Sequence, residues 1–313
     1  MDINYFEPLS KGWRRMKDIL FNPFDMSKWF MLGFTAFLAG LLDGPGGGSG
    51  GNKFDNYRDK PDFDDIADFP AIAWDWLMEH SLWFGLILFG IFFITALLIV
   101  FNWLSSRGKF MFLDNVVHNR AEVTKPWYDF KTIGNSLFVW RLIYGFICLA
   151  VFLLLFGLFF SMFLGIYATG FPRPATAMTI FGMSMIFLTV MIIIGYITLF
   201  MNDFVVPIMY KYQLSATQAW GKFLKLFGTH FWHFILYGLF IFVLMIFVVV
   251  LVISFVLMTC CVGGILLIIP YLGSVLFLPV SVTFRALSVE YLEQFDDKFK
   301  IFPVQNDESL LAN

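Results

Sequence analysis

Apolar residues along this chain gather into six runs free of Asp, Glu, Lys and Arg, at about Trp29–Leu42, Leu82–Leu104, Leu142–Tyr167, Ala175–Met201, Phe231–Met258 and Ile265–Phe284. About 20 helical residues, rising 1.5 Å each, cross a hydrocarbon layer of roughly 30 Å. The last five runs therefore predict membrane-spanning helices. The first is at the lower limit even when counted from Met26, and reads as a short tilted span or the arm of a shallow hairpin. Pro270 and Pro279 interrupt the sixth run, and Pro207 is expected to kink or end the fourth because it lacks an amide donor.

The polar stretches between the runs divide the chain into an amphipathic N-terminal helix over residues 1–25, a six-helix membrane domain over 26–295 and a tail over 296–313. The membrane domain carries a loop at 43–80. That loop opens with the Gly-rich stretch 44–51, continues through Asp55, Asp59, Asp62, Asp64, Asp65 and Asp68, and resumes as an interfacial helix near Trp74, Trp76 and Met78. The glycines read as a flexible linker, since the Lys-Ser/Thr ending of a phosphate loop is missing. The carboxylates read as a solvated loop, with cation binding as the alternative; the spacing of an EF-hand is absent.

Composition agrees with this division: 59% of residues are hydrophobic, only 14% are charged, and mean hydropathy is +0.77. The formal net charge of -2 offers no concentrated basic surface for nucleic acid. The distribution of charge says more than its sum. Of the 21 Lys and Arg residues, 17 fall on one side of a six-span arrangement and only Lys53, Arg58, Lys60 and Arg173 on the other. The positive-inside rule then puts both termini in the cytoplasm. The first 25 residues are polar and amphipathic, so a cleavable signal peptide is not expected. Cys148, Cys260 and Cys261 do not make a disulfide framework.

Three basic-side stretches align on a Trp: Ser10-Lys11-Gly12-Trp13, Thr124-Lys125-Pro126-Trp127 and Thr217-Gln218-Ala219-Trp220, each followed three residues later by Met16, Phe130 or Phe223. They suggest a threefold repeat of interfacial helix plus membrane hairpin. Ser10, Thr124 and either Thr217 or Ser215 would cap the helices, and Trp13, Trp127 and Trp220 would anchor them at headgroup depth. Beside them Arg14, Arg15, Lys17, Lys125, Lys131, Lys222 and Lys225 form a collar suited to anionic lipid.

The stretch Phe204-Val205-Val206-Pro207-Ile208-Met209 followed by Leu214-Ser215-Ala216-Thr217-Gln218-Ala219-Trp220 resembles a pattern in bacterial polytopic membrane proteins, including the membrane domain that accompanies glycerophosphodiester phosphodiesterases. Residues 22–29 and 284–295 look like an uncharacterised family of such proteins. The resemblance implies an integral protein of the bacterial inner membrane and carries no catalytic residue onto this chain. The resemblance is confined to the membrane region, so the phosphodiesterase activity is not expected to transfer.

Chemistry is sparse. No Asp, Glu or Lys lies within the six runs. His230 and His233 share a helical face, but with no carboxylate or Cys near them they read as interfacial anchors rather than metal ligands. No enzyme activity and no cofactor are expected. Asp203 would be costly against lipid, so a boundary ion pair with Arg141 or Arg285 is expected. The glycines of the runs, Gly145, Gly157, Gly182, Gly195 and Gly238 among them, are read as allowing close helix packing. The chain is expected to be a scaffold, an accessory subunit of a membrane complex or a membrane-homeostasis factor, with lipids as partners; the alternative is a channel or transporter. A dry, Phe-packed interior favours the first and a water-filled polar cavity the second.

Overall fold

A computed structural model describes residues 3–43, 74–168, 174–259, 263–264, 267 and 269–303. The Gly-rich stretch 44–51, the six loop carboxylates, Lys53, Arg58, Lys60, Arg173, Cys260, Cys261 and the end of the tail lie outside them. Among the described residues the regular structure is helical: α1 (Phe6–Leu20), α2 (Met26–Gly40), α3 (Ser81–Val117), α4 (Thr124–Asp129), α5 (Lys131–Ala168), α6 (Pro174–Phe200), a π-turn (Met201–Val205), α7 (Val206–Tyr212), α8 (Ala216–Thr229), α9 (Phe231–Met258), α10 (Pro270–Leu276) and α11 (Leu278–Glu293).

Among the described residues, four helical stretches are long and apolar enough to cross a membrane: Ser81–Val117, Lys131–Gly165, Met178–Tyr212 and Phe231–Met258. They match the second to fifth apolar runs. The two terminal runs differ. α2 holds 15 residues, about 22 Å at 1.5 Å per residue. The last run breaks into α10 and α11, each with a proline in its first turn, where the missing amide is not needed.

The fourth run passes Pro207 without ending. Proline cannot donate to the carbonyl four residues back, and its ring crowds that carbonyl; here residues 201–205 widen into a π-turn and helix resumes as α7. The backbone carbonyl of Asn202 accepts Nη1 of Arg285 at 2.8 Å. π-turns of this kind recur at functional positions.

The chain divides into two compact units, one of Met1–Gly47, Asn102–Arg141 and Ile193–Asn313, the other of Gly48–Phe101 and Leu142–Ile192. The first holds a core of aromatic rings. Phe204 stacks on Phe223 at 5.4 Å and meets Phe234 edge-on at 5.0 Å; Phe234 stacks on Phe295 at 4.8 Å, and Tyr237 lies 4.5 Å from Tyr291. Such pairs add about 0.5–1.5 kcal/mol each beyond the area they bury. Also in this unit, α1 lies along α11: Arg15 Nε meets Glu290 Oε1 at 2.6 Å and the Asn4 amide donates to Gln294 at 3.0 Å. The second unit shows mostly exposed apolar side chains, with Phe152, Phe156 and Phe160 in a row on α5 and Phe159 edge-on to Phe187 of α6 at 6.3 Å.

Close packing does not fall on most of the glycines expected to provide it. A Cβ at Gly145, Gly157, Gly182 or Gly195 would meet nothing within 4 Å, whereas at Gly238 it would strike the Tyr196 ring. The tight contacts lie nearer the ends of the runs. A Cβ at Gly108 would come within 2.7 Å of the α2 backbone at Leu38 and Ala39, and one at Gly33 within 2.6 Å of Val275 Cγ2. Gly108→Ala should therefore destabilise the fold by about 1–3 kcal/mol, the usual cost of overpacking, and lower the melting temperature in detergent. Gly157→Ala should leave it unchanged or slightly raised. Equal melting temperatures for the two variants would refute the assignment of tight packing to Gly108.

Candidate functional site

Ionisable side chains converge in the first unit. Asp43, just beyond α2, receives Nζ of Lys109 on one carboxylate oxygen and Nη2 of Arg141 on the other, the latter at 2.9 Å. Lys109 also donates to Asn202 Oδ1 at 2.7 Å, and Arg141 Nη1 donates to Ser105 Oγ at 2.9 Å. Ser105 in turn donates to the Ala39 carbonyl at 2.9 Å. Lys109 is 3% exposed and Arg141 9%. Ionised groups at such burial require compensation, since each costs several kcal/mol to desolvate. Asp43 compensates both.

Burial pushes the Asp43 carboxyl up, but Lys109 and Arg141 outweigh it and hold the group below the ordinary carboxylate range. A depressed folded value means that the stabilisation is complete above the unfolded value, about 3.9, and is lost as pH falls through the folded one.

Asp203, in the π-turn, accepts a hydrogen bond from the Tyr237 hydroxyl at 2.9 Å. Arg285 is its nearby opposite charge, while the guanidinium's hydrogen bond goes to the Asn202 carbonyl and its Nε is buried without a partner. Among the described residues Arg141 is paired with Asp43 rather than with Asp203, and Arg285, though near Asp203, gives its hydrogen bond to the Asn202 carbonyl; Asp43 and Lys109, which the sequence did not link to them, join the cluster. Sequence reasoning set Asp43 at the start of the outer loop and Lys109 and Arg141 on the opposite side; in the structure they touch. The available signal was the acidic residue closing a run at the lower limit of spanning length.

The collar residues divide. Arg14, Lys17, Lys125, Lys131, Lys222 and Lys225 are exposed. Arg15 is not free: besides Glu290 it lies over the Phe302 ring at 3.7 Å. Trp13 is half exposed, with the Lys17 ammonium 5.7 Å from its ring. Trp127 meets Trp103 edge-on at 5.5 Å, and buried Arg107 sits 4.8 Å from its ring and 4.3 Å from that of Trp103, a stabilising contact once desolvated. The four-residue spacing of Trp103 and Arg107 was its sequence signature. Trp220 stacks on Trp140 at 5.3 Å, its indole nitrogen buried without an acceptor.

Only one of the expected caps holds. Ser215 and Gln218 form a reciprocal capping box at the start of α8. Ser10 lies inside α1, which begins at Phe6, and Thr124 is the first residue of α4 after Val123, which makes no side-chain cap. Tertiary packing of α1 on α11 extends that helix one turn beyond its hydroxyl signal. His230 and His233 have ring centroids 5.9 Å apart.

A family model matches residues 4–293. The chain belongs to DUF7544, a family of unknown function. The match covers both units' described helices and reaches the last residue of α11, so the charge cluster lies wholly within the DUF7544 region. No curated protein and no solved structure matches the chain.

The cluster predicts an order of damage. Asp43→Asn leaves two buried cations without their carboxylate, and breaking a buried pair costs about 3–5 kcal/mol. Asp203→Asn keeps an amide oxygen able to accept from Tyr237 and should cost less, while still weakening Arg285. Thermal unfolding in detergent at pH 7 should rank wild type above Asp203→Asn above Asp43→Asn. The reverse order of the two variants would contradict this reading of the cluster.

Proposed function

We propose that this DUF7544 protein is a non-enzymatic integral protein of the bacterial inner membrane, with six apolar segments and both termini cytoplasmic, acting as a scaffold, an accessory subunit of a membrane complex or a membrane-homeostasis factor. The observation that carries the reading is the interior of the first unit, filled by Phe200, Phe204, Phe223, Phe234, Tyr237, Tyr291 and Phe295. A path for solute needs groups that replace water; closely stacked rings exclude it. The apolar windows of the four long helices bury 0 to 6% of their residues inside the chain, leaving their surfaces to lipid or to partner helices.

The exposed collar of Arg14, Lys17, Lys125, Lys131, Lys222 and Lys225 supports anionic lipid as a partner, at about 1 kcal/mol per basic residue near such a surface. Arg15, committed to Glu290, drops out of that set.

A channel or transporter is the second reading, favoured by the π-turn that carries Asn202 and Asp203 beside Lys109 and Arg285. Proteoliposome flux separates the two. As a scaffold, the protein should leave ion and solute fluxes at the level of protein-free vesicles. Flux abolished by Asp203→Asn would replace the scaffold with the transporter. For the collar, native mass spectrometry should show less phosphatidylglycerol or cardiolipin retained by the Arg14→Gln, Lys17→Gln double variant than by wild type. Equal retention would reduce those two residues to an orientation signal.

A further inference from the structure

The buried cations among the described residues are Arg107, Lys109 and Arg141. Lys109 and Arg141 share the Asp43 carboxylate. Arg107 has no such partner: it is 6% exposed, and no carboxylate is among the groups acting on its charge. A guanidinium cannot shed that charge by deprotonating. A desolvated cation without a counter-charge is strongly destabilising, so something else must complete the site.

What the protein supplies falls short. Nη2 of Arg107 donates to Asn135 Oδ1 at 3.1 Å, an oxygen that also accepts the Trp103 indole at 3.2 Å. Nε is enclosed with no acceptor, whereas Nη1 makes no hydrogen bond among the described residues and is not sealed from solvent. The indoles of Trp103 and Trp127 attract the charge, but cation–π contacts are weaker than the cost of desolvating an unpaired ion. The stem is fixed in place, since a Cβ at Gly134 of α5 would come within 2.9 Å of Arg107 Cγ. The result is a positioned cation with one open donor.

Its depth names the ligand, on the membrane reading proposed above. The apolar run of α3 ends at Leu104 after about 34 Å at 1.5 Å per residue, which exhausts a hydrocarbon layer of roughly 30 Å. Arg107 follows within one turn, where lipid phosphates lie. Lys131 stands one turn before Asn135 on the same face of α5 and is exposed. We propose that Arg107 binds the phosphate of an anionic phospholipid in the cytoplasmic leaflet, with Nη1 as a charge-assisted donor to a phosphate oxygen. Lys131 adds a second cation, which repels the ammonium of a zwitterionic headgroup and so favours an anionic one. The inference rests on the membrane reading and gives one lipid a defined seat, separate from Arg14 and Lys17.

The test melts the full chain, stripped of lipid in detergent, with added phosphatidylglycerol, phosphatidylcholine or glycerol 3-phosphate, because a ligand of the native state raises the melting temperature. Phosphatidylglycerol should raise it more than phosphatidylcholine does. Asn135→Asp keeps the oxygen that accepts Trp103 and gives Arg107 a carboxylate of its own; it should remove that extra rise and stabilise the stripped protein. By native mass spectrometry, Asn135→Asp and Arg107→Gln should each bind phosphatidylglycerol about tenfold more weakly than wild type, equivalent to about 1.4 kcal/mol. Should either variant fail to fold, the other carries the comparison. An extra rise kept in Asn135→Asp but lost in the Arg14→Gln, Lys17→Gln double variant overturns the Arg107 site and leaves the collar standing. No preference for phosphatidylglycerol in wild type, or an equal rise with glycerol 3-phosphate, overturns it as well. Failure of the membrane reading itself would show separately, as release of the chain from membranes by alkaline carbonate.

Discussion

A charge withdrawn from water must be answered by another charge or by hydrogen bonds, and in this protein that requirement fixes where helices meet. Lys109 of α3 and Arg141 of α5 are buried cations. One carboxylate, Asp43, satisfies both. To deliver it, α2 must end against α3, which Gly108 permits by offering no Cβ to the Leu38–Ala39 backbone. Lys109 then reaches Asn202, whose carbonyl holds Arg285 of α11. Five helical segments are joined through one polar cluster, in which the three cations exceed the two carboxylates, Asp43 and Asp203.

The π-turn belongs to the same economy. Pro207 cannot close an ordinary turn with Asp203, so the helix widens. Asn202 thereby offers both its side chain to Lys109 and its carbonyl to Arg285. Around this polar knot the rings of Phe204, Phe234, Tyr237 and Tyr291 close the interior. Tyr237 serves both layers, packed within the aromatic core and donating to Asp203. The interior of the first unit is thus closed by rings and pinned by charge.

Much of the fold was legible because local rules govern it. The fifth apolar run and α9 have the same bounds, Phe231–Met258, since length and hydropathy decide such a helix. The start of α8 was legible as a choice between Ser215 and Thr217, and the structure gives the cap to Ser215, with Gln218 completing a capping box. Pro270 and Pro279 marked the break of the last run. What escaped were contacts between residues distant in sequence. Nothing local ties Asp43 to Arg141, 98 residues away, or withdraws Arg15 from the collar to Glu290, 275 residues away. Glycines in apolar runs misled for a related reason: their spacing allows close approach, but the partner surface is set by tertiary structure, and it falls at Gly33, Gly108 and Gly238 rather than at Gly145 or Gly157.

The central claim is that Asp43 and Arg141 stabilise the fold through each other. A double-mutant cycle reads this directly, comparing Asp43→Leu, Arg141→Leu and the pair by thermal or denaturant unfolding in detergent. The account predicts that the double variant is less destabilised than the sum of the singles by more than about 1 kcal/mol, because removing both charges leaves fewer of them uncompensated. Strict additivity would show that the two residues act independently and that the cluster does not hold the helices together.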